Sequence, residues 1–267
     1  MPRYFLRVEY DGGPYVGWQR QKPVADGPPQ PSVQEALEDA GRRLTGAPAA
    51  CVAAGRTDAG VHALAMGVHI DLAKSYPDDT VMNALNAHMA NHPIAVLSAQ
   101  SVPPDFSARF SCRQRHYLYR ITSRRAPAVI NAGRVWHVAY PLDAAKMHEA
   151  SQLFLGTHDF TTFRSVHCQA KNPVKSIDTI AVREVDEEIH LTCSAISFMH
   201  NQIRSFAGTL ERVGAGRWTI ENVAEALAAK DRAACGRVAP PYGLYFVKAD
   251  YDEEAFAPSP DQTSAIF

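Results

Sequence analysis

The sequence predicts an α+β fold built on a mostly antiparallel sheet. Segments with the period-two alternation of strands, such as 3–10 and 115–121, are interspersed with segments of helical period, such as 33–45. The elements do not follow the strict β-α-β repeat of a doubly wound sheet, and the glycine fingerprint of dinucleotide-binding folds does not occur. A chain of 267 residues with 46% hydrophobic residues can form one large domain or two closely joined ones.

The first half begins with a strand and an amphipathic helix. In residues 3–10, apolar side chains alternate with Arg7 and Glu9, as a strand with one wet face requires. Ser32 and Glu35 form a capping-box pattern, and apolar residues then recur at helical spacing up to Gly46. A proline-rich connector at 22–31, a short strand at 67–73 and a helix at 79–89 complete the prediction for this half.

The second half also alternates strands and helices. In the strand at 115–121, Tyr117, Tyr119 and Ile121 share one face. Asp143 is the predicted N-cap of a helix, and Gly156 is predicted to end the segment that follows. A strand at 188–198 leads into a helix that ends at Gly214 and whose buried apolar stripe comprises Ile203, Phe206, Ala207, Leu210 and Val213. The remaining predictions are a helix at 219–229, a strand at 243–251 and a flexible tail at 252–267.

Charge is distributed unevenly along a chain whose net charge is only −1. No acid occurs between Asp105 and Asp143, whereas arginine is frequent there. The guanidinium of arginine is planar and can form bidentate contacts with phosphate, so an interval of this kind favours binding to phosphates. We therefore expect a nucleic-acid partner. The seven arginines of the interval are Arg109, Arg113, Arg115, Arg120, Arg124, Arg125 and Arg134.

Two further features indicate the cellular setting. No run of 18 apolar residues occurs, and the N-terminus becomes polar too early for a signal peptide, so we expect a cytoplasmic protein. The five cysteines show no C-x-x-C pair and fit reduced, mostly buried thiols. A catalytic Cys168 beside His167 is an alternative to an inert core cysteine.

The stretch "AAGRTDAGVHALAMGVHID", residues 53–71, allows three interpretations. Asp58 can be a turn residue that accepts hydrogen bonds from nearby backbone amides between Gly55 and Gly60. His62, His69 and Asp71, with His88 or His92 added, can be a metal site, although their spacing matches no helical pair. Finally, Asp58 can be a catalytic carboxylate on a loop whose glycines allow a ligand to approach closely.

The segment "GRTDAGVHA" resembles the active-site motif of the tRNA pseudouridine synthase A family. Six other segments match that family in the same order, so the resemblance runs from about Tyr4 to Tyr251. These segments are "YDGGPYVGWQRQ", "SVQEALEDA", "FSARFSCRQRHYLYRI", "LGTHDFTTF", "FMHNQIRSFAGTLERVGAG" and "APPYGLYFVKADY".

The resemblance implies isomerisation of uridine to pseudouridine at positions 38–40 in the anticodon stem-loop of tRNA, by a homodimer that needs no cofactor and no metal. It implies two ferredoxin-like halves joined into a mostly antiparallel mixed sheet flanked by helices, with the active-site cleft between the halves. We expect the N-terminal half at 1–105 and the C-terminal half at 106–251, followed by the tail.

The resemblance also assigns roles to individual residues. Asp58 is the catalytic carboxylate, acting as a nucleophile on the ribose or as a base, and the sequence does not choose between these routes. Arg204 offsets the desolvation of that carboxylate, and Tyr117 stacks on the flipped uracil. Arg56 enters the vacated space or grips the adjacent phosphate. Further substrate contacts are implied for Arg109 and Leu244, and His62, His158 and Asp159 either touch RNA or brace the loops.

The chain departs from the family pattern at three places. Ser107 stands where the family usually has histidine, residues 89–98 lack the usual leucine-proline pair, and residues 198–204 vary the usual motif. None of these departures removes the aspartate, the tyrosine or the arginine. Two rival classes remain at this point, a non-catalytic RNA-binding protein of the same fold and a metal-dependent hydrolase.

Overall fold

The computed structural model describes residues 1–21 and 31–256. The expected connector at 22–31, except for its last residue, and the expected tail from 257 onward lie outside the described residues. The chain divides into two compact units. Unit 1 comprises the described residues within 1–115 and 246–256, and unit 2 comprises 116–245.

Unit 1 follows the connectivity strand, helix, strand, strand, helix, strand. Its elements are β1 (Arg3–Tyr10), α1 (Val33–Thr45), β2 (Ala50–Ala53), β3 (His62–Asp71), α2 (Asp78–His88) and β4 (Ile94–Val102). The strands lie in the order β4-β1-β3-β2, and each neighbouring pair is antiparallel. The lengths of α1 and α2 agree with the lengths predicted from the helical periodicity of the sequence.

The local chemistry of unit 1 explains most of its elements. Along β1, the buried residues at even positions alternate with exposed Arg7 and Glu9, as predicted. The Ser32 side chain accepts a hydrogen bond from the Glu35 N–H, and Gly46 ends α1 at a φ of 74°. In contrast, β3 begins at His62, five residues before the predicted start. Consecutive residues are buried along most of β3, so both of its faces are covered and its sequence shows no period-two alternation.

Unit 2 contains most of the remaining elements. In chain order they are β5 (Cys112–Ser123), β6 (Trp136–Val138), α3 (Ala144–Ser151), β7 (Gly156–Asp159), β8 (Val174–Ile177), β9 (Thr179–Val185), β10 (Glu188–Ala195), α4 (Gln202–Gly214), α5 (Ile220–Ala229) and β11 (Leu244–Tyr251). The chain passes from unit 1 into unit 2 within β5 and returns within β11. The strand order in unit 2 is β5-β10-β9, β6 runs parallel to β5, and β7 and β8 form a separate antiparallel pair.

The core of unit 2 is aromatic. The rings of Phe154 and Phe206 stack at 4.3 Å, and Phe160 and Phe163 pack edge-on against both. Phe206 belongs to the apolar stripe predicted for α4, all of which is buried.

The helices and strands of the two units confirm the predicted α+β class and the predominance of antiparallel pairing.

The first residues of the expected tail form a short helical turn at Glu253–Phe256. Phe256 packs against Phe5, Phe106 and Tyr251 in unit 1. This contact explains why Phe5 is buried although it lies on the opposite face of β1 from Tyr4. Within the described part of the chain, no helix combines the length and apolar character that crossing a membrane requires.

Candidate active site

Asp58 lies on the loop that joins β2 to β3. The two strands pair through Ala53 and Val68, and the Ala54 N–H donates to the Gly67 carbonyl at 2.7 Å. At the tip, the Val61 N–H donates to the Asp58 carbonyl at 3.1 Å and closes a turn. This geometry presents Asp58 on a supported turn and leaves the residue half-buried.

The glycine-rich segment 11–18 packs directly against the Asp58 loop. Gly17 has a φ of +111° and forms an isolated bridge with Asp58, and a Cβ at this position would lie 2.6 Å from the Thr57 carbonyl oxygen. A Cβ at Gly12 would lie 2.0 Å from the Val61 carbonyl oxygen. Two backbones can approach this closely only where one lacks a side chain. The glycines therefore fix the position of the loop.

Thr57 and Arg56 divide the loop into an inner and an outer side. Thr57 is buried, with its Oγ1 2.8 Å from the Tyr10 hydroxyl and its carbonyl accepting from the Trp18 N–H at 3.0 Å. Arg56 is exposed, and its guanidinium forms no hydrogen bond or ion pair with any of the described residues. Within the loop, Thr57 is therefore anchored by its contacts, Arg56 is exposed and Asp58 is half-buried.

His62 braces the same loop. Its ring is buried, and Nδ1 lies 3.1 Å both from the donating Gly12 N–H and from Asp11 Oδ1. Of the two roles considered for His62, the described contacts support bracing, and a contact with RNA stays a prediction.

The proposed metal ligands are held by different partners. The His69 Nδ1 accepts a hydrogen bond from the Ala108 N–H at 3.0 Å, and Asp71 forms a bidentate ion pair with Arg3 at 2.7 and 2.8 Å. Burial, assisted by the nearby Arg3 charge, lowers the pKa of His69 to about 4. In the described ranges, no group of three or more His, Cys, Asp or Glu side chains is arranged to hold a metal ion.

Tyr117 lies in unit 2, on the buried face of β5. Its ring packs edge to face against Phe198 with 5.1 Å between the centroids. Phe198 precedes α4 and was not identified from the sequence, because nothing in its spacing links it to β5. The pair supports the ring of Tyr117 in a fixed orientation.

Arg204 lies in the first turn of α4 and is half-buried. Its Nε donates to the Ala239 carbonyl and one terminal nitrogen donates to Asn201 Oδ1, both at 2.8 Å. Asn201 has a φ of 64°, in the left-handed region that asparagine tolerates better than most residues. Asn201 was not predicted from the sequence, although its position three residues before Arg204 was a usable signal.

Residues 236–240 lie against α4 and form hydrogen bonds with Arg204. A Cβ at Gly208 would lie 1.8 Å from the Arg237 carbonyl oxygen, so the segment approaches the helix backbone directly. The Ala239 N–H donates to the Arg204 carbonyl at 3.0 Å, and the Tyr119 hydroxyl donates to the Pro240 carbonyl at 2.7 Å. The Arg204 guanidinium is therefore oriented by backbone groups that are themselves anchored.

The other predicted contact residues of unit 2 have structural partners. Asp159 Oδ1 accepts from the Thr161 N–H and hydroxyl, and these bonds lower the pKa of the carboxyl. A ring nitrogen of His158 lies 2.8 Å from the Leu155 carbonyl oxygen. Both residues brace their loop, and contact with RNA stays a prediction. Leu244 is buried at the start of β11.

The arginines of the interval between Asp105 and Asp143 differ in their contacts, so they are not equivalent candidates for binding phosphate. Arg109 is exposed and lies over the Phe110 ring at 5.3 Å, and Arg113 forms an exposed ion pair with Asp252, of a kind that contributes little to stability. In unit 2, Arg120 forms a bidentate pair with the half-buried Glu188 at 2.8 and 2.7 Å. Arg120 is therefore a structural residue and not a candidate phosphate contact.

The five cysteines are free thiols, as expected. Burial raises the pKa of Cys51, Cys112, Cys193 and Cys235, which opposes thiolate formation. Cys168 is partly buried and its N–H donates to the Ser165 carbonyl at 3.0 Å. No bond between Cys168 and the His167 ring occurs among the described residues, so the geometry gives no support to a catalytic pair.

Comparison with known proteins identifies the family. A family model described as "tRNA pseudouridine synthase" matches residues 150–252. A solved structure, "Crystal Structure of a Cbf5-Nop10-Gar1 Complex", matches at 9% identity over 97% of this chain and 54% of that one, and its TM-score of 0.37 is too low to carry an argument.

Three curated relatives are much closer, and each is named tRNA pseudouridine synthase A. The protein of Parvibaculum lavamentivorans is 53% identical over 252 residues, covering 94% of this chain and all of the relative. The Afipia carboxidovorans protein is 54% identical over 251 residues, with the same coverage. The Caulobacter vibrioides protein is 52% identical over 253 residues, covering 95% of this chain and 100% of the relative. The chain therefore belongs to the tRNA pseudouridine synthase A family, and it is an isomerase that acts on uridine in tRNA.

Proposed function

We propose that this chain converts uridine to pseudouridine at positions 38–40 in the anticodon stem-loop of tRNA, with Asp58 as the catalytic carboxylate. The observation that carries the proposal is the packing of Gly12 and Gly17 against the Asp58 loop. An acid that served only as a turn residue would not need two backbone-to-backbone contacts to fix its position. A group that acts on a substrate must be held in place before the substrate binds.

The chemistry assigns a task to each residue. The target nucleotide leaves the base stack, and the supported ring of Tyr117 offers a face for the uracil. Asp58 then acts on the ribose, as nucleophile or as base, and the bond between N1 and C1′ breaks. The uracil turns and C5 bonds to C1′. In the nucleophile route the carboxylate leaves C1′ as this bond forms, and in the base route Asp58 returns the proton that it took from the ribose. The proton on C5 is then lost and N1 gains one. No oxidant or reductant is needed, because the product is an isomer.

Arg204 has an electrostatic task in this scheme. A carboxylate keeps its charge in a partly dry pocket only if a cation or hydrogen-bond donors offset the lost hydration. A guanidinium does this well because it stays protonated and its N–H groups have a fixed geometry. The bonds from Arg204 to Ala239 and Asn201 limit its movement. The proposal requires Asp58, Tyr117 and Arg204 to act on the same nucleotide.

We also propose that both halves, 1–105 and 106–251, are ferredoxin-like, with residues 252–267 as a tail. The strand order β4-β1-β3-β2 in unit 1 and its β-α-β-β-α-β connectivity support this for the first half. Family resemblance alone supports the homodimer, and the cytoplasmic location stays an expectation from the sequence. Exposed Arg56 and Arg109 support a direct RNA-binding role.

Mapping of the modified positions tests the proposal. Transfer RNA lacking pseudouridine at 38–40 is incubated with the protein, treated with a carbodiimide that marks pseudouridine and read by primer extension. The proposal predicts new stops at these positions with the wild type and none with Asp58→Asn. Stops confined to another region of the tRNA, with the wild type, would reject the assigned positions.

A further inference from the structure

A second cationic surface lies beyond the C-terminal end of α4. Arg217 is exposed, and its guanidinium lies over the Tyr140 ring at 4.7 Å. Among the described residues it forms no hydrogen bond or ion pair through its side chain. Arg217 differs in this respect from Arg113 and Arg124, whose side chains are each paired with an acid.

Two other arginines nearby are also backed by aromatic rings. Arg237 lies 4.6 Å from the centroid of the Trp136 ring, and Arg212 lies 5.5 Å from that of Trp218. The backbone N–H groups of Arg217 and Trp218 both donate to the Arg212 carbonyl, which joins these residues into one turn. We call the set the arginine–aromatic patch. It comprises Trp136, Tyr140, Arg212, Arg217, Trp218 and Arg237.

Two acids next to the patch already have hydrogen-bond or ion-pair partners. Glu211 is buried, and its Oε1 accepts a hydrogen bond from the Tyr140 hydroxyl and lies 3.2 Å from an Arg237 nitrogen. Asp143, whose N–H donates to the Gly214 carbonyl, is paired with Lys146 at 3.3 Å. Arg237 is therefore partly committed to Glu211, whereas Arg217 forms no ion pair with any carboxylate among the described residues.

We propose that the arginine–aromatic patch binds phosphates of the tRNA backbone, with Arg217 as its principal contact. A guanidinium that rests on a ring has less conformational freedom to lose on binding, and its edge still presents paired N–H donors to a phosphate. The substrate supplies a dense row of such anions. The inference rests on tRNA being the substrate and not on the role of Asp58.

Salt-dependent binding tests the patch. The dissociation constant for tRNA is measured at 50 and 200 mM salt for the wild type, Arg217→Ala and Arg217→Lys. Losing one phosphate contact reduces the log-log salt slope by about 0.9, so the affinity deficit of Arg217→Ala should be about 3.5-fold larger at 50 mM than at 200 mM. Arg217→Lys keeps the charge and should retain the wild-type slope.

Arg183→Ala is the matched control, because Arg183 is exposed in the same unit but is followed closely by the acids Glu184, Asp186 and Glu187. It should bind tRNA like the wild type. Single-turnover rates at saturating enzyme should be unchanged for all three variants, which separates this test from that of Asp58. An unchanged salt slope for Arg217→Ala, or an equal loss for Arg183→Ala, would overturn the proposal.

Discussion

Arg204 and Ala239 are joined by a reciprocal pair of hydrogen bonds. The Arg204 Nε donates to the Ala239 carbonyl at 2.8 Å, and the Ala239 N–H donates to the Arg204 carbonyl at 3.0 Å. The next residue, Pro240, is anchored by the Tyr119 hydroxyl at 2.7 Å. The orientation of the guanidinium therefore depends on a tyrosine that lies on a strand, far from α4 in the sequence.

Tyr119→Phe should reduce the single-turnover rate by roughly tenfold or more while leaving tRNA affinity nearly unchanged. The variant removes only the hydroxyl, so the Pro240 carbonyl loses its donor and the segment that orients Arg204 can shift. Tyr245→Phe is the control, because the Tyr245 hydroxyl also donates to a backbone carbonyl, that of Arg134. Equal rate losses in the two variants would mean that the effect is general destabilisation.

Gly12→Ala should impair turnover much more than Gly13→Ala. A Cβ at Gly12 would meet the Val61 carbonyl oxygen at 2.0 Å and force the Asp58 loop to move, whereas a Cβ at Gly13 would meet only the Asp11 side chain at 3.1 Å. The expected loss of stability for Gly12→Ala is about 1–3 kcal/mol. Thermal melts and single-turnover rates of the two neighbours provide the comparison, and similar rates in both folded variants would argue against the packing account.

Tyr117→Phe should be milder than Tyr117→Ala. The phenylalanine ring retains the edge-to-face contact with Phe198 and the face for the uracil, whereas alanine loses stacking that contributes about 1–3 kcal/mol per base. Single-turnover rates, with circular dichroism to check folding, measure the difference. If both folded variants lost the same activity, the hydroxyl and not the ring would carry the function.

Acid should destabilise the protein partly through His69. Its pKa is about 4 in the folded state and about 6.5 when unfolded, so the unfolded chain binds more protons between these values. Stability is therefore unaffected above about pH 6.5 and decreases as the pH falls towards 4, by up to about 3 kcal/mol from this group. His69→Asn can still accept from the Ala108 N–H but does not titrate. Its denaturation curves should depend less on pH than those of the wild type or of the exposed-site control His167→Asn.

Much of the fold could be predicted because local signals agreed with tertiary structure. Ser32 and Gly46 delimit α1 by capping chemistry, and the stripe through Ile203 and Phe206 indicates the buried face of α4. The early start of β3 could not be predicted, because a strand buried on both faces shows no alternation. β9 was missed for the opposite reason, since its end is exposed and charged.

The candidate site was predictable only where a motif marked it. Asp58, Tyr117 and Arg204 stand at motif positions to which the family resemblance assigns a role. Asn201 and Phe198 lie in the same matching segment as Arg204 but are recognised only by their contacts. The expectation of a phosphate contact was wrong for Arg120, because sequence alone does not reveal that its partner, Glu188, lies 68 residues away. Pairing across such distances is decided by the fold and leaves no local pattern.

We propose that the negative charge of Asp58 drives isomerisation. Asp58→Asn keeps the size of the side chain and its ability to accept backbone hydrogen bonds, so the fold and tRNA affinity should be nearly unchanged. The most direct measurement is single-turnover release of tritium from C5 of labelled uridine in tRNA, run beside a binding titration, with mass spectrometry to exclude deamidation. No release above background is expected for Asp58→Asn at wild-type affinity. Release at the wild-type rate by the intact asparagine variant would show that the charge is not required.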